Sequence, residues 1–181
     1  MSNTKINFSL IEKIQRGGYV LYLRHAEPSN NTLSDEGKKQ AKKLGDIFKE
    51  RHIPIQYPVF TSPIGRTVET GKLAFRDGKQ EVYKNLELIR YLYKKDKEHP
   101  IKKDLIASFE KKPFQTLNTV FVGHDHCFSE SMQCQDNKDH CLCYLDTIIL
   151  QPKGQGNGFD FVGLITLQQF IEWNNYDKNC S

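Results

Sequence analysis

Long hydrophobic runs are missing from these 181 residues. The longest, such as Tyr19–Leu23 and Thr147–Leu150, fall far short of the ~20 residues a membrane-spanning helix needs, so neither a span nor a membrane partner is expected. The first ten residues interrupt their apolar positions with polar ones and lack the continuous core of a secretory signal. Five cysteines are an odd number, with no Cys-x-x-Cys pair among them. That excludes the even framework of a small secreted domain and the knuckle of a structural zinc site, and leaves reduced thiols in the cytoplasm as the expected state. Strong charge bias is also absent: 26 Lys+Arg against 22 Asp+Glu give +4, which tolerates an anionic substrate without indicating nucleic acid. No repeat, linker or composition shift divides the chain, so residues 1–181 are expected to form a single domain; its oligomeric state is not indicated.

What is present points to a packed α/β protein. Eleven Phe and eight Tyr are too many for a disordered chain, and a globular unit of this size buries roughly 70% of its unfolded surface without staples. Leu10, Ile11 and Ile14 predict a short helix over Phe8–Gln15, ended by Gly17-Gly18. Tyr19-Val-Leu-Tyr-Leu-Arg-His25 reads as a strand buried on both faces. Ala41, Leu44, Ile47 and Phe48 repeat at helical spacing between lysines, predicting a helix from Ser34, a credible N-cap, to Glu50. A strand over Tyr57–Thr61 follows, then a helix over Ile64–Phe75 opened by Pro63, a strand near Glu81–Leu86, and a charged stretch, Tyr93–Asp104, running into a helix that ends before Pro113. Asn118–Val122 is another short apolar strand. Asp146–Gln151 and Phe159–Ile165 read as paired strands around the Gly-rich turn Lys153–Gly158, and Leu167, Phe170, Ile171 and Trp173 mark a final amphipathic helix. The alternation implies a mostly parallel sheet with helices on both faces.

In such folds reactive groups gather beyond the carboxyl ends of the strands. One exit carries Arg24-His25-Ala26-Glu27, a second Thr61-Ser-Pro-Ile-Gly-Arg66, and a third Gly123-His124. Two guanidinium forks and two imidazoles converging on one point suit a tetrahedral dianion, a phosphoryl group above all. Pro63, taken as the first helical residue, would aim free backbone amides at the same place. Arg51-His52 repeats the Arg-His pair but closes a lysine-rich helix, where a solvated cation pair is the plainer reading.

Four segments together, Val20-Leu-Tyr-Leu-Arg-His-Ala26, Leu33-Ser-Asp-Glu-Gly-Lys-Lys-Gln-Ala41, Thr61-Ser-Pro-Ile-Gly-Arg-Thr-Val-Glu-Thr70 and Val120-Phe-Val-Gly-His-Asp125, resemble the histidine phosphatase superfamily, the phosphoglycerate mutase-like enzymes, in the family's order. The resemblance implies a three-layer α/β/α sandwich of the short, minimally decorated branch. It implies a phosphatase needing neither metal nor cofactor, with His25 as covalent nucleophile and Arg24, Arg66 and His124 holding the phosphoryl oxygens. Glu87, in Asn85-Leu-Glu-Leu88, stands where the family places its proton donor; Glu27 and Asp125 are the substitutes. The family has Gly after the nucleophile and this chain has Ala26, a change that the turn survives unless it needs φ > 0. A small phosphorylated substrate or a phosphoprotein is the expected partner. Hydrolysis is favoured over mutase activity because the chain has little sequence for the insertions that keep water from a phosphoenzyme. A non-catalytic phosphate-binding module of the same fold is the alternative.

Other features are expected to be structural. His124, His126, Cys127, Cys134, His140, Cys141 and Cys143 are dense in soft ligands, but their spacing is poor for zinc and reduced, partly buried thiols are expected; Cys141–Cys143 or Cys127–Cys134 would be the redox pairs. Lys94–Lys103 reads as a solvated basic face, or alternatively as a rim attracting anions. The turn Gly154–Gly158 lacks the Lys-Ser/Thr and the helix of a phosphate loop. Trp173 and Phe170 read as core.

Overall fold

The computed structural model describes residues 8–91, 100–128, 134 and 139–178. Its elements run α1 (Phe8–Arg16), β1 (Val20–Arg24), β2 (Pro28–Ser29), β3 (Thr32–Leu33), α2 (Asp35–Glu50), β4 (Ile55–Thr61), α3 (Gly65–Ala74), β5 (Gln80–Val82), a 3₁₀ helix (Lys84–Tyr91), α4 (Pro100–Glu110), β6 (Asn118–Gly123), β7 (Thr147–Pro152), β8 (Phe159–Ile165) and α5 (Leu167–Lys178). Six strands form one sheet in the order β5-β4-β6-β1-β7-β8. The first four in that order are mutually parallel, whereas β7 runs antiparallel to β1 and to β8. The α/β sandwich expected from the alternating pattern is the observed architecture.

Side chains alternate along β1 and feed two cores. Leu21 and Leu23 join α1, α2 and α5 through residues such as Ile14, Leu44, Phe48 and Phe170. Val20 and Tyr22 face the other way, with Leu86 and Ile89 of the 3₁₀ helix and Leu105 and Phe109 of α4. This two-sided burial explains why β1 reads as an unbroken apolar run. Ser34 caps α2 as expected, its Oγ accepting the Gly37 N–H at 2.9 Å.

Several boundaries differ from the sequence expectation. The strand expected near Glu81–Leu86 stops at Val82, and Leu86 and Glu87 lie on the 3₁₀ helix. Leu86 and Ile89 are fully buried with the exposed Glu87 between them, a three-residue spacing that suits the tighter helix. Helix α3 begins at Gly65 with Ile64 as N-cap, so Pro63 precedes the helix and does not open it. Pro28–Ser29 and Thr32–Leu33 pair as a small antiparallel ribbon that the sequence did not announce. Most of the charged stretch at 93–104 lies outside the described residues; only Lys102 and Lys103 of the expected basic rim fall on α4.

The Gly-rich turn is a hairpin, as expected, and α4 fastens it. Gly154, Gly156 and Gly158 all have positive φ, which glycine adopts without strain. The Glu110 carboxylate accepts N–H groups from Gly156 (2.7 Å) and Gly158 (3.1 Å), and its carbonyl accepts that of Gly154 (3.0 Å). Losing those carboxylate bonds leaves two turn amides unpaired, so Glu110→Ala is expected to cost about 1–3 kcal/mol, measured as a shift in the urea unfolding midpoint.

Candidate active site

Four of the expected site residues leave the carboxyl ends of adjacent parallel strands: Arg24 and His25 from β1, Arg66 beyond β4 at the start of α3, and His124 from β6. With Ile64, Glu87, Ile89, Asp125 and His140 they line one cavity of about 370 Å³. Glu27 is not among its lining residues. Its carboxylate accepts the Ser34 hydroxyl at 2.7 Å at the start of α2.

His25 is 4% exposed. Its Nδ1 lies 2.7 Å from the Ala26 carbonyl, which can only accept, so Nδ1 carries the hydrogen and Nε2 keeps its lone pair. Arg66 Nε donates to that Nε2 at 3.1 Å. Burial is the main cause that pushes the His25 pKa down to about 3, with Arg66, Arg24 and His124 adding to it. The imidazole is therefore neutral at pH 7, as a nucleophile must be. Ala26 is absent from the residues with positive φ, so alanine fits this turn in place of glycine, its N–H donating to Thr70 Oγ1 at 3.1 Å.

Arg24 is 6% exposed and anchored from behind. Nη1 donates to the Leu142 carbonyl at 2.5 Å, and the guanidinium carbon lies 4.3 Å above the Tyr144 ring centroid. The same ring sits 5.8 Å from the His25 ring. Arg24 Nε is a buried donor that meets no acceptor among the described residues, a site that a phosphoryl oxygen would satisfy.

His124 is fixed at both ends. Its backbone N–H donates to Tyr22 Oη (2.8 Å), which in turn donates to the His124 carbonyl (2.6 Å), while Nε2 lies 2.8 Å from Ser62 Oγ. Burial raises the Tyr22 pKa far beyond its ordinary value, so the hydroxyl stays protonated and able to donate. The closeness needs Gly123: a Cβ there would meet Tyr22 Oη at 2.3 Å. Tyr22, Ser62, Thr70 and Tyr144 were missed as site-supporting residues. Tyr22 and Ser62 stood inside the quoted motifs, whereas Tyr144 offered no signal in its neighbourhood.

The cysteines depart most from expectation. Cys127 is bridged to Cys141 and Cys134 to Cys143, so these four are not reduced thiols, and neither pairing matches the two expected. Cys141 and Cys143, separated by one residue, have different partners, which sequence spacing cannot reveal. While bridged, none of the four offers a thiolate to zinc, and no group of three or more potential metal ligands occurs among the described residues. The bridges also remove the thiol argument for a reducing compartment. No helix among the described residues is long and apolar enough to cross a membrane.

Buried neutral histidines make stability sensitive to acid. His25 and His126 titrate near 6.5 when unfolded, but burial pushes them down to about 3 and about 4 in the folded chain. Between those limits the unfolded state binds more protons, so stability falls as pH drops. The calorimetric unfolding midpoint is expected to decline from pH 6.5 to 4, less steeply once His25 is replaced by Gln.

Comparison with known proteins places this geometry. No curated protein matches the chain by sequence. Among solved structures, the protein histidine phosphatase SixA complexed with tungstate aligns with TM-score 0.53 at 12% identity, covering 83% of this chain and 97% of that one. Phosphoserine phosphatase from Entamoeba histolytica, in complex with 3-phosphoglyceric acid, aligns with TM-score 0.52 at 12% identity, covering 84% and 98%. At such identities the likeness is one of fold. The family model described as histidine phosphatase superfamily (branch 1) matches residues 21–94, the stretch that supplies Arg24, His25, Arg66 and Glu87, and over that stretch the chain is similar to this superfamily.

Proposed function

We propose that residues 1–181 form one histidine phosphatase domain that hydrolyses a phosphomonoester, a phosphohistidine or an acyl phosphate through a covalent phosphohistidine on His25. The observation that carries this reading is the state of His25: neutral, hydrogen-bonded through Nδ1, with the Nε2 lone pair turned to Arg66. In the first half-reaction Nε2 attacks phosphorus in line while Arg24, Arg66 and His124 hold the equatorial oxygens, whose charge spreads in a loose transition state. Two buried or half-buried guanidinium groups supply positive charge without a metal ion. In the second half-reaction water displaces His25 and releases phosphate.

The leaving oxygen needs a proton unless it belongs to a good leaving group. Of the carboxyl groups expected to provide it, Glu87 and Asp125 line the cavity and Glu27 does not. A cavity of this size open to solvent favours water over a second alcohol as acceptor, hence hydrolysis over mutase chemistry.

The test is to trap the intermediate. Rapid quenching into alkali during turnover of p-nitrophenyl phosphate, with EDTA present, is expected to leave an acid-labile phosphoryl group on His25, located by mass spectrometry. Phosphate binding without any phosphoenzyme would favour the non-catalytic module. Transfer to an added alcohol in preference to water would favour a phosphotransferase.

A further inference from the structure

Asp125 and His140 form a pair whose purpose the phosphate pocket does not account for. Both line the cavity beside Arg24, His25, Arg66, Glu87 and His124. Asp125 Oδ2 lies 2.9 Å from His140 Nδ1, and Oδ1 accepts the backbone N–H groups of Cys141 and Leu142 at 3.1 and 2.8 Å. Oδ1 accepts two backbone N–H groups and Oδ2 faces the imidazole, so Asp125 is arranged as an acceptor. Its influence passes to the imidazole. With Nδ1–H donating to the carboxylate, the tautomer and ring orientation of His140 are set, and Nε2 is the nitrogen left for proton exchange.

The backbone around His140 is equally constrained. Its carbonyl accepts the Cys134 N–H at 2.8 Å, Cys134 is bridged to Cys143, and the adjacent Cys141 is bridged to Cys127. Glu87, the other acid candidate in the cavity, is an exposed side chain on the 3₁₀ helix. An imidazole held by a carboxylate and a bridged backbone is better positioned for proton transfer than an exposed carboxyl group is.

We propose that His140, oriented by Asp125, is the proton donor to the leaving group and then the base toward water; this rests on His25 being the nucleophile as above. In the first step the His25 Nε2 lone pair forms the N–P bond and the P–O bond to the leaving group breaks. Its electron pair stays on that oxygen, which takes the proton from His140 Nε2. In the second step neutral His140 takes a proton from water, the water oxygen bonds to phosphorus, and the N–P electron pair returns to His25. The product is hydrogen phosphate and His140 is again protonated. Asp125 acts as a positioning residue.

Leaving-group dependence tests this. Phenyl phosphate expels an oxygen about as basic as a tyrosine phenolate, pKa about 10, whereas the acetate leaving from acetyl phosphate needs no proton. In His140→Gln, kcat/KM for phenyl phosphate is expected to fall by about 10²–10³-fold and that for acetyl phosphate to fall several-fold at most. Asp125→Asn is expected to show the same selectivity, lowering kcat/KM for phenyl phosphate while sparing acetyl phosphate, because the imidazole loses the carboxylate that orients it. Arg24, Arg66, Glu87, His25 and His124, which share the cavity, are left in place, so the selectivity reports the pair. Equal losses on both substrates, no loss on either, or the leaving-group effect appearing in Glu87→Gln instead would overturn the proposal. Failure of the underlying reading looks different: wild-type protein would hydrolyse neither substrate and form no phosphohistidine.

Discussion

His25→Ala is expected to lower the turnover of p-nitrophenyl phosphate by about 10⁴-fold or more, the scale seen when a covalent nucleophile is removed. The size follows from what no neighbour can replace. Arg24, Arg66 and His124 still gather around a bound phosphoryl group, but none of them offers a neutral lone pair in line with phosphorus. Binding should therefore survive: orthovanadate or inorganic phosphate is expected to protect the variant against thermal unfolding about as well as the parent. The acid side of the parent's pH profile is also informative. With its pKa pushed down to about 3 by burial, His25 stays neutral throughout pH 4–8, so any loss of activity in mildly acid buffer belongs to another group. Steady-state rates on both proteins at matched concentration, with EDTA present, check the first point. Retained turnover in the alanine variant would remove His25 from the chemistry.

Breaking the two disulfides is expected to have the second-largest effect, on stability and activity together. Their sequence separations are 14 and 9 residues, and loops of that size are each worth about 3 kcal/mol in the chain-entropy account. The catalytic cost arises because the bridged segment holds Arg24: Leu142, whose carbonyl receives Nη1, lies between Cys141 and Cys143, and Tyr144 follows directly. Treatment with a phosphine reductant is expected to lower the thermal midpoint by about 10–20 °C and raise KM for phosphate esters more than it lowers kcat. Thiol titration of the denatured chain should find one free cysteine before reduction and five after it. Five free thiols in oxidised protein would disprove the bridges.

The contrast between these two sites shows what a linear sequence can disclose. Arg24, His25, Arg66 and His124 were readable because each stands at the end of a short apolar run or just after one, and strand exits in an α/β sheet converge whatever the loops do. The sheet itself was readable for the same reason, since β1 and β6 bury both faces. The 3₁₀ helix was harder: Leu86 and Ile89 fit a strand end or a tight helix equally well until their burial is known. The described residues between Asp125 and Asp146 were the least legible. They are held by cross-chain bridges, by one carboxylate gathering two backbone amides, and by an arginine reaching 118 residues ahead to Leu142, none of which leaves a periodic trace. Asp125 and His140 were each visible, but nothing in a separation of 15 residues declares them a pair.

The hydrogen bond from Arg66 to His25 also sets an order of events. On the proposed mechanism, the reactive lone pair accepts a hydrogen bond from the same arginine that would grip the phosphoryl group. A dianion draws the guanidinium toward its own oxygens and, in doing so, uncorks the nitrogen beside it. An uncharged electrophile has no such pull. On that reading His25 would be less open to acylation or alkylation by uncharged reagents than to reaction with the anion that the proposed chemistry consumes.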